Sequence, residues 1–233
     1  TGVDVGNVLI AKLDMGPDLM NEGDVVLLKP TIIDPLGREN PFTYLWRVEA
    51  SNGQVIANGD KATFEFTPYD NGVYTVRLFI TDVARGLTAE PGVVVVTALN
   101  VAPVIEAGEN QTVNEGDLLT VSMPFSDAGT NDTHSAVIDW GDKTTSMFES
   151  LTELFGSGTL NTDHVYADNG PYVVTVTLTD DDGGSAIDSF EVRVNNVAAT
   201  VNAGADQNVL EGQIVLLEAV FNDLGTLDTH TAT

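Results

Sequence analysis

Apolar and polar residues alternate strictly over long stretches of this chain. Tyr172, Val174, Val176 and Leu178 interleave with Val173, Thr175, Thr177 and Thr179. A period of two in a run rich in β-branched residues predicts a half-buried β-strand. Earlier in the chain, Tyr74, Val76, Leu78 and Ile80 alternate in the same way with Thr75, Arg77, Phe79 and Thr81. Each run is followed, beyond a short turn, by another strand pattern: Phe190, Val192 and Val194 in one case, Val93 to Thr97 in the other. Phe42, Tyr44 and Trp46 form a further alternating run, matched by Ala136, Ile138 and Trp140. Shorter strands are predicted at Val25 to Leu28, Leu118 to Val121 and Ile214 to Leu217. Met147 to Phe155 reads either as a short amphipathic helix or as part of two short strands around Gly156-Ser157-Gly158, and its neighbours favour the strands. Gly, Asn, Asp and Pro fall between the runs, where turns require them. Many short strands with closely spaced turns predict an all-β sandwich.

The pattern repeats. Asn7-Val8 precedes Glu22-Gly23, Asn100-Val101 precedes Glu115-Gly116, and Asn196-Val197 precedes Glu211-Gly212, with an Asn-to-Glu offset of 15 residues each time. The chain is a tandem array with a period of 93 to 96 residues. Residues 1–6 are the tail of a preceding unit or a linker, 7–99 form unit 1, 100–195 unit 2, and 196–233 the first part of unit 3. A unit of this length can bury one modest core. The stretch 196–233 supplies two strands and cannot close a core alone. The expectation is a segment of a longer array, its third unit completed by further strands of its own or by strand addition from another polypeptide. The single Trp of each complete unit is expected to fill the sandwich core; stacking on carbohydrate is the other use of such a ring.

At this level the residues resemble the polycystic kidney disease (PKD) domain family, an immunoglobulin-like sandwich. Unit 2 carries the resemblance in Phe125-Ser126-Asp127, Asp132-Thr133-His134, Ile138-Asp139-Trp140-Gly141-Asp142, His164-Val165-Tyr166, and Tyr172 to Asp182 followed by Gly183-Gly184. Unit 3 repeats its opening with Phe221-Asn222-Asp223 and Asp228-Thr229-His230. Unit 1 diverges, keeping Asp34, Trp46, Tyr69-Asp70-Asn71-Gly72 and Asp82 but having Arg47-Val48 and Thr67-Pro68-Tyr69 in place of the Gly-Asp and His-x-Tyr motifs. Unit 2 has Lys143 where the family usually places Gly. The resemblance implies tandem immunoglobulin-like, PKD-type antiparallel β-sandwiches, two complete and one partial. It also implies an extracellular or cell-surface setting: a stalk, fibre, adhesin segment, surface-layer component or accessory module of a secreted hydrolase.

Charge narrows the partners. Nine basic residues face 35 acidic ones, a formal net charge of −26. Such a surface repels nucleic acid and anionic membranes. It keeps the chain soluble, and clustered carboxylates also suit calcium, which takes oxygen ligands. The absence of cysteine excludes disulfides and thiolate zinc sites. No apolar run reaches the roughly 18 residues of a membrane span. Asn110-Gln111-Thr112 and Asn131-Asp132-Thr133 match glycosylation sequons.

The resemblance implies calcium near the linker at which a unit begins, on Asn100, Asp127 and Asp180 in unit 2. The matching positions are Asn7, Asp34 and Asp82 in unit 1, and Asn196 and Asp223 in unit 3. The alternative is that Asp127 and Asp180 are turn formers bonded to nearby backbone amides. Asp180-Asp181-Asp182 is not an EF-hand loop, because Leu178 holds the first ligand position, and it is expected to be an exposed hairpin turn. His134, His164 and His230 are expected to bond turn backbone rather than zinc. No nucleophile elbow, zinc-protease helix or phosphate loop is present, so the reading is non-catalytic. Two functions remain open: a calcium-stiffened structural repeat segment whose partners are neighbouring repeats or other copies, or an accessory module that binds polysaccharide or protein.

Overall fold

The computed structural model describes residues 10–14, 18–34 and 41–232. Among them no segment is helical, and none is a helix long and apolar enough to cross a membrane. The first module contains β1 (Ile10–Asp14), β2 (Leu19–Asn21), β3 (Val26–Ile33), β4 (Phe42–Ala50), β5 (Phe64–Phe66), β6 (Gly72–Asp82), β7 (Leu87–Thr88) and β8 (Gly92–Leu99). The second contains β9 (Val104–Ile105), β10 (Gln111–Asn114), β11 (Leu118–Ser126), β12 (His134–Asp139), β13 (Thr145–Phe148), β14 (Glu153–Leu154), β15 (Ser157–Val165), β16 (Gly170–Asp180) and β17 (Ser185–Asn195). Beyond them, β18 (Thr200–Asn202) pairs with β19 (Val220–Asn222). The 147–155 region is strand and turn, as its neighbours indicated.

Each module is a sandwich. In the first, the sheet β2-β8-β6-β4, with β7 beside β6, faces β1-β3-β5. In the second, β10-β17-β16-β12-β13 faces β14-β15-β11-β9. The alternating side chains of β6 and β16 turn Tyr74, Val76, Leu78 and Ile80, and Val174, Val176 and Leu178, into two separate cores. Burying side chains of this size contributes about 1.5–3 kcal/mol each. Trp46 and Trp140 are buried in these cores, not offered to a ligand.

Two pairings are parallel: β2 with β8 and β10 with β17. They lay the start of each module beside its last strand. The Glu-Gly turn after β2 or β10 therefore reaches the point where the chain leaves the module. Glu22 N–H donates to Leu99 O at 3.0 Å, and Glu115 N–H to Asn195 O at 3.0 Å.

Three expectations need correction. Trp46 and Trp140 are not register equivalents: Trp46 lies opposite Leu78, where unit 2 has Ile138 opposite Val176. The unit 1 ring has slid two positions along its strand and stacks on Phe64 at 5.5 Å instead. The counterpart of His164-Val165-Tyr166 is Phe66-Thr67-Pro68: Pro68 O accepts Gly23 N–H as Tyr166 O accepts Gly116 N–H. Ile214 to Leu217 is not a strand. Its unit 2 counterpart pairs with β15, and no such partner lies beside 214–217 among the described residues.

Candidate metal centre

The DNG turns that precede β6 and β16 are fixed by tyrosine. Tyr74 Oη donates to Asp70 O at 2.8 Å, and Tyr172 Oη to Asp168 O at 3.0 Å. This sets Asp70 and Asp168 at the end of each module that carries the Glu-Gly turn. The next module docks there. Asn131 N–H donates to Tyr69 O at 3.0 Å, and Leu227 N–H to Ala167 O at 3.2 Å. Gly23, at φ +76°, packs against Ala128 so closely that an added Cβ would lie 3.0 Å from the Ala128 methyl. Gly116, at φ +77°, abuts Leu224, leaving 2.8 Å.

A carboxylate bridges each joint. Glu22 Oε1 accepts Val101 N–H at 2.6 Å, and Glu115 Oε1 accepts Val197 N–H at 2.5 Å. Both glutamates are buried, and in both the second oxygen, Oε2, has no hydrogen-bond partner. Asn100 Oδ1 and both carboxylate oxygens of buried Asp132 are likewise without partners. Unsatisfied buried oxygens are costly, and carboxylates so placed are satisfied either by protonation or by a cation.

The oxygens converge. Glu22, Asp70 and Asp132 form one group whose ligand atoms lie within 4.8 Å of one another. Asp132 belongs to two more, with Asp127 and Asp180 and with Asp181 and Asp182. At the second joint, Glu115, Asp168 and Asp228 repeat the first group. Oxygens at this spacing can share one ion at the about 2.3–2.6 Å of a calcium bond. The donors are all oxygen, which fits calcium and disfavours zinc.

The electrostatics agree. Burial, followed by the Asp127, Asp70 and Asp182 charges, raises Glu22 to about 7 despite the hydrogen bond from Val101. Burial, then Glu22 and Asp127, raises Asp132 to about 8. Burial, then Asp182 and Asp181, raises Asp70. Burial and then Glu115 raise Asp228.

The sequence-derived positions fare differently. Asn7 lies outside the described residues. Asn100, Asp127 and Asp180 do come together, Asn100 Nδ2 donating to Asp180 Oδ2 at 3.0 Å. They also serve turns: Asp127 Oδ1 accepts Gly129 N–H at 3.0 Å, and Asp180 Oδ1 accepts Asp182 and Gly184 N–H at 3.0 and 2.7 Å. Turn formation and membership of the acidic group are thus compatible. Asn196 is exposed, although its neighbour Val197 is held by Glu115. Asp223 accepts from Gly225 N–H at 3.3 Å and pairs with His230 Nε2 at 2.6 Å, the hydrogen bond from His230 lowering its pKa. Asp34 and Asp82 are both paired with Arg85. In the acidic turn, Asp180 is buried while Asp181 and Asp182 are exposed.

Sequence reasoning missed Glu22, Asp70, Asp132, Glu115, Asp168 and Asp228. The signal was present in the recurring Glu-Gly, Asp-Asn-Gly and Asp-Thr-His motifs, which were read as landmarks and not as ligands. The histidine expectation is corrected too, because the partners are carboxylates. His134 Nδ1 lies 2.5 Å from Glu153 Oε2, and Nε2 lies 3.0 Å from Asp127 Oδ2. Burial opposes charge on His134, but the two carboxylates outweigh it and raise its pKa. His164 stacks on Trp140 at 4.5 Å and pairs with Asp142 Oδ2 at 2.8 Å. Tyr166, stacked on Tyr172 at 4.4 Å, donates to Trp140 O at 3.0 Å. The Trp-Gly-Asp and His-x-Tyr motifs are therefore one packed unit within a single core.

A sequence profile of the PKD domain matches residues 100–194. No curated protein matches the chain. Among solved structures, the PKD domain of an M14-like peptidase from a Thermoplasmatales archaeon is 20% identical, covering 41% of this chain and 98% of that one, with a TM-score of 0.34. Three N-terminal domains of the bacteriophage RB49 Highly Immunogenic Outer Capsid protein are 15% identical over 93% of this chain and 70% of theirs, at 0.32. The Yersinia pseudotuberculosis adhesin InvE is 14% identical over 84% of this chain and 62% of its own, at 0.31. The sandwich, the Trp140–Tyr166 bond and the profile match coincide on one stretch, and residues 100–194 form a PKD-type domain.

Proposed function

We propose that this chain is a non-catalytic structural repeat segment of a large extracellular or cell-surface protein, with joints stiffened by calcium. One observation carries the reading. At two successive joints a buried glutamate uses one oxygen to hold the next module's backbone and leaves the other unpartnered among carboxylates. A divalent ion there would neutralise repulsion between modules and fix their angle. Glu22, Asp70 and Asp132 would hold it at the first joint, together with Asn100, Asp127 and Asp180. Glu115, Asp168 and Asp228 would hold it at the second. Exposed aromatic residues number one per unit among the described residues, Tyr69, Phe155 and Phe221, so no unit presents the aromatic row that a polysaccharide-binding module would use.

Calorimetry and small-angle scattering of the chain, in calcium and then in chelator, test the reading. Chelator is expected to lower the melting temperature and broaden the inter-module angle. Identical curves in both conditions would overturn it.

A further inference from the structure

The start of unit 1 departs from the acidic pattern. Asp82 ends β6 as Asp180 ends β16, and Asp34 follows β3 as Asp127 follows β11. In unit 1 a guanidinium lies between the pair: Arg85 Nη2 is 3.1 Å from Asp34 Oδ2, and Nε is 2.5 Å from Asp82 Oδ2. Both carboxylates are nearly or fully buried, and the Arg85 side chain is only 15% exposed. Asp82 Oδ1 also accepts Ala84 and Arg85 N–H at 2.9 and 3.1 Å, which holds the turn that carries the arginine. That turn, Val83-Ala84-Arg85-Gly86, is one residue longer than Asp181-Asp182-Gly183 in unit 2. Unit 1 thus places a positive charge where unit 2 places two further carboxylates.

We infer that Arg85 is the built-in counter-cation of unit 1, standing where a divalent ion would stand between Asp127 and Asp180 of unit 2. The inference rests on the calcium reading of the joints and adds a division to it. Guanidinium is permanently charged and its fork binds two carboxylates in fixed geometry. It cannot be withdrawn by a chelator. Loss of calcium would loosen the joints that follow unit 1 and unit 2 while this end of unit 1 stays closed.

The full chain, stripped with chelator and titrated with calcium chloride, tests this in three forms: wild type, Arg85→Gln and Arg85→Gln with Asp34→Asn. Arg85→Gln is expected to take up one more calcium equivalent than wild type, and the double variant to lose it again. Hydrogen exchange supplies a second readout that needs no variant. The wild-type amides of Ala84 and Arg85 should be equally protected with and without calcium, whereas Glu115-bonded Val197 should not be. Equal calcium uptake by wild type and Arg85→Gln would overturn the inference, as would exchange at Ala84 and Arg85 that follows calcium in the wild type. Wild type taking up no calcium while Arg85→Gln takes up one equivalent would refute the joint reading and leave the role of Arg85 standing.

Discussion

Glu22 accepts the backbone N–H of Val101 at 2.6 Å, across 79 residues of sequence. Glu115 repeats this with Val197 at 2.5 Å. The two recurring dipeptides are therefore halves of one joint: the Glu-Gly of each module meets the Asn-Val of the next. Glu22→Gln keeps an acceptor for Val101 but removes the charge facing Asp132. It is expected to weaken calcium binding while leaving the calcium-free melting temperature unchanged or higher. Calorimetric titration and melting in chelator decide this, and unaltered affinity would remove Glu22 from the ligand set.

Acidity should compete with the metal. Glu22 titrates near 7 against an ordinary 4.5, and Asp132 near 8 against 3.8. Between those limits the folded chain holds protons that the unfolded chain has released, so its stability falls as pH rises. In chelator the chain is expected to melt at a lower temperature at pH 8.5 than at pH 5. Calcium should abolish that fall by replacing the protons. A calcium-free chain that melts higher at pH 8.5 would contradict the clustering.

Close approach at the joint depends on Gly23 and Gly116, both in left-handed backbone. Gly116→Ala places a methyl 2.8 Å from Leu224 Cβ and adds about 1–2 kcal/mol of backbone strain. The substitution should open the second joint, read as wider angular scatter and faster exchange at Leu227, with the unit 2 core unaffected.

Lys143 sits at φ +77° on the turn between β12 and β13. Glycine adopts this conformation without a Cβ penalty, so Lys143→Gly is expected to stabilise unit 2 by about 0.5–1 kcal/mol. Chemical denaturation measures the gain, and a loss would mean that the lysine side chain contributes more than its backbone costs.

His134 is buried between Asp127 and Glu153. His134→Leu leaves both carboxylates without this partner and is expected to cost about 3–5 kcal/mol by denaturant unfolding. Because the folded histidine titrates above its unfolded value, its contribution is fully present in acid and is lost as pH rises through the folded value. A variant as stable as wild type at pH 6 would show that the carboxylates find other partners.

The all-β class, the tandem period and most strands were legible in the sequence, because alternation is local and each strand writes its own pattern. The exceptions were non-local. Ile214 to Leu217 is an apolar run like its counterparts yet is not a strand, since a strand needs a neighbour to complete its ladder. The Trp46 shift was invisible because register is set by pairing with Leu78, not by the ring's own place in a run.

The candidate site divides along the same line. The amino-acid sequence by itself determined that carboxylates recur at matching places in successive modules, and its resemblance to the PKD family implied that Asn100, Asp127 and Asp180 lie near one linker. Only the tertiary structure decided that the Glu-Gly turn of one module meets the Asn-Val of the next, because parallel pairing of β2 with β8 and β10 with β17 carries the start of each module to its exit. Charge is written residue by residue, whereas burial and convergence are properties of packed chains. Asp34 and Asp82 look like Asp127 and Asp180 in sequence, and the fold sets them apart by bringing Arg85 between them.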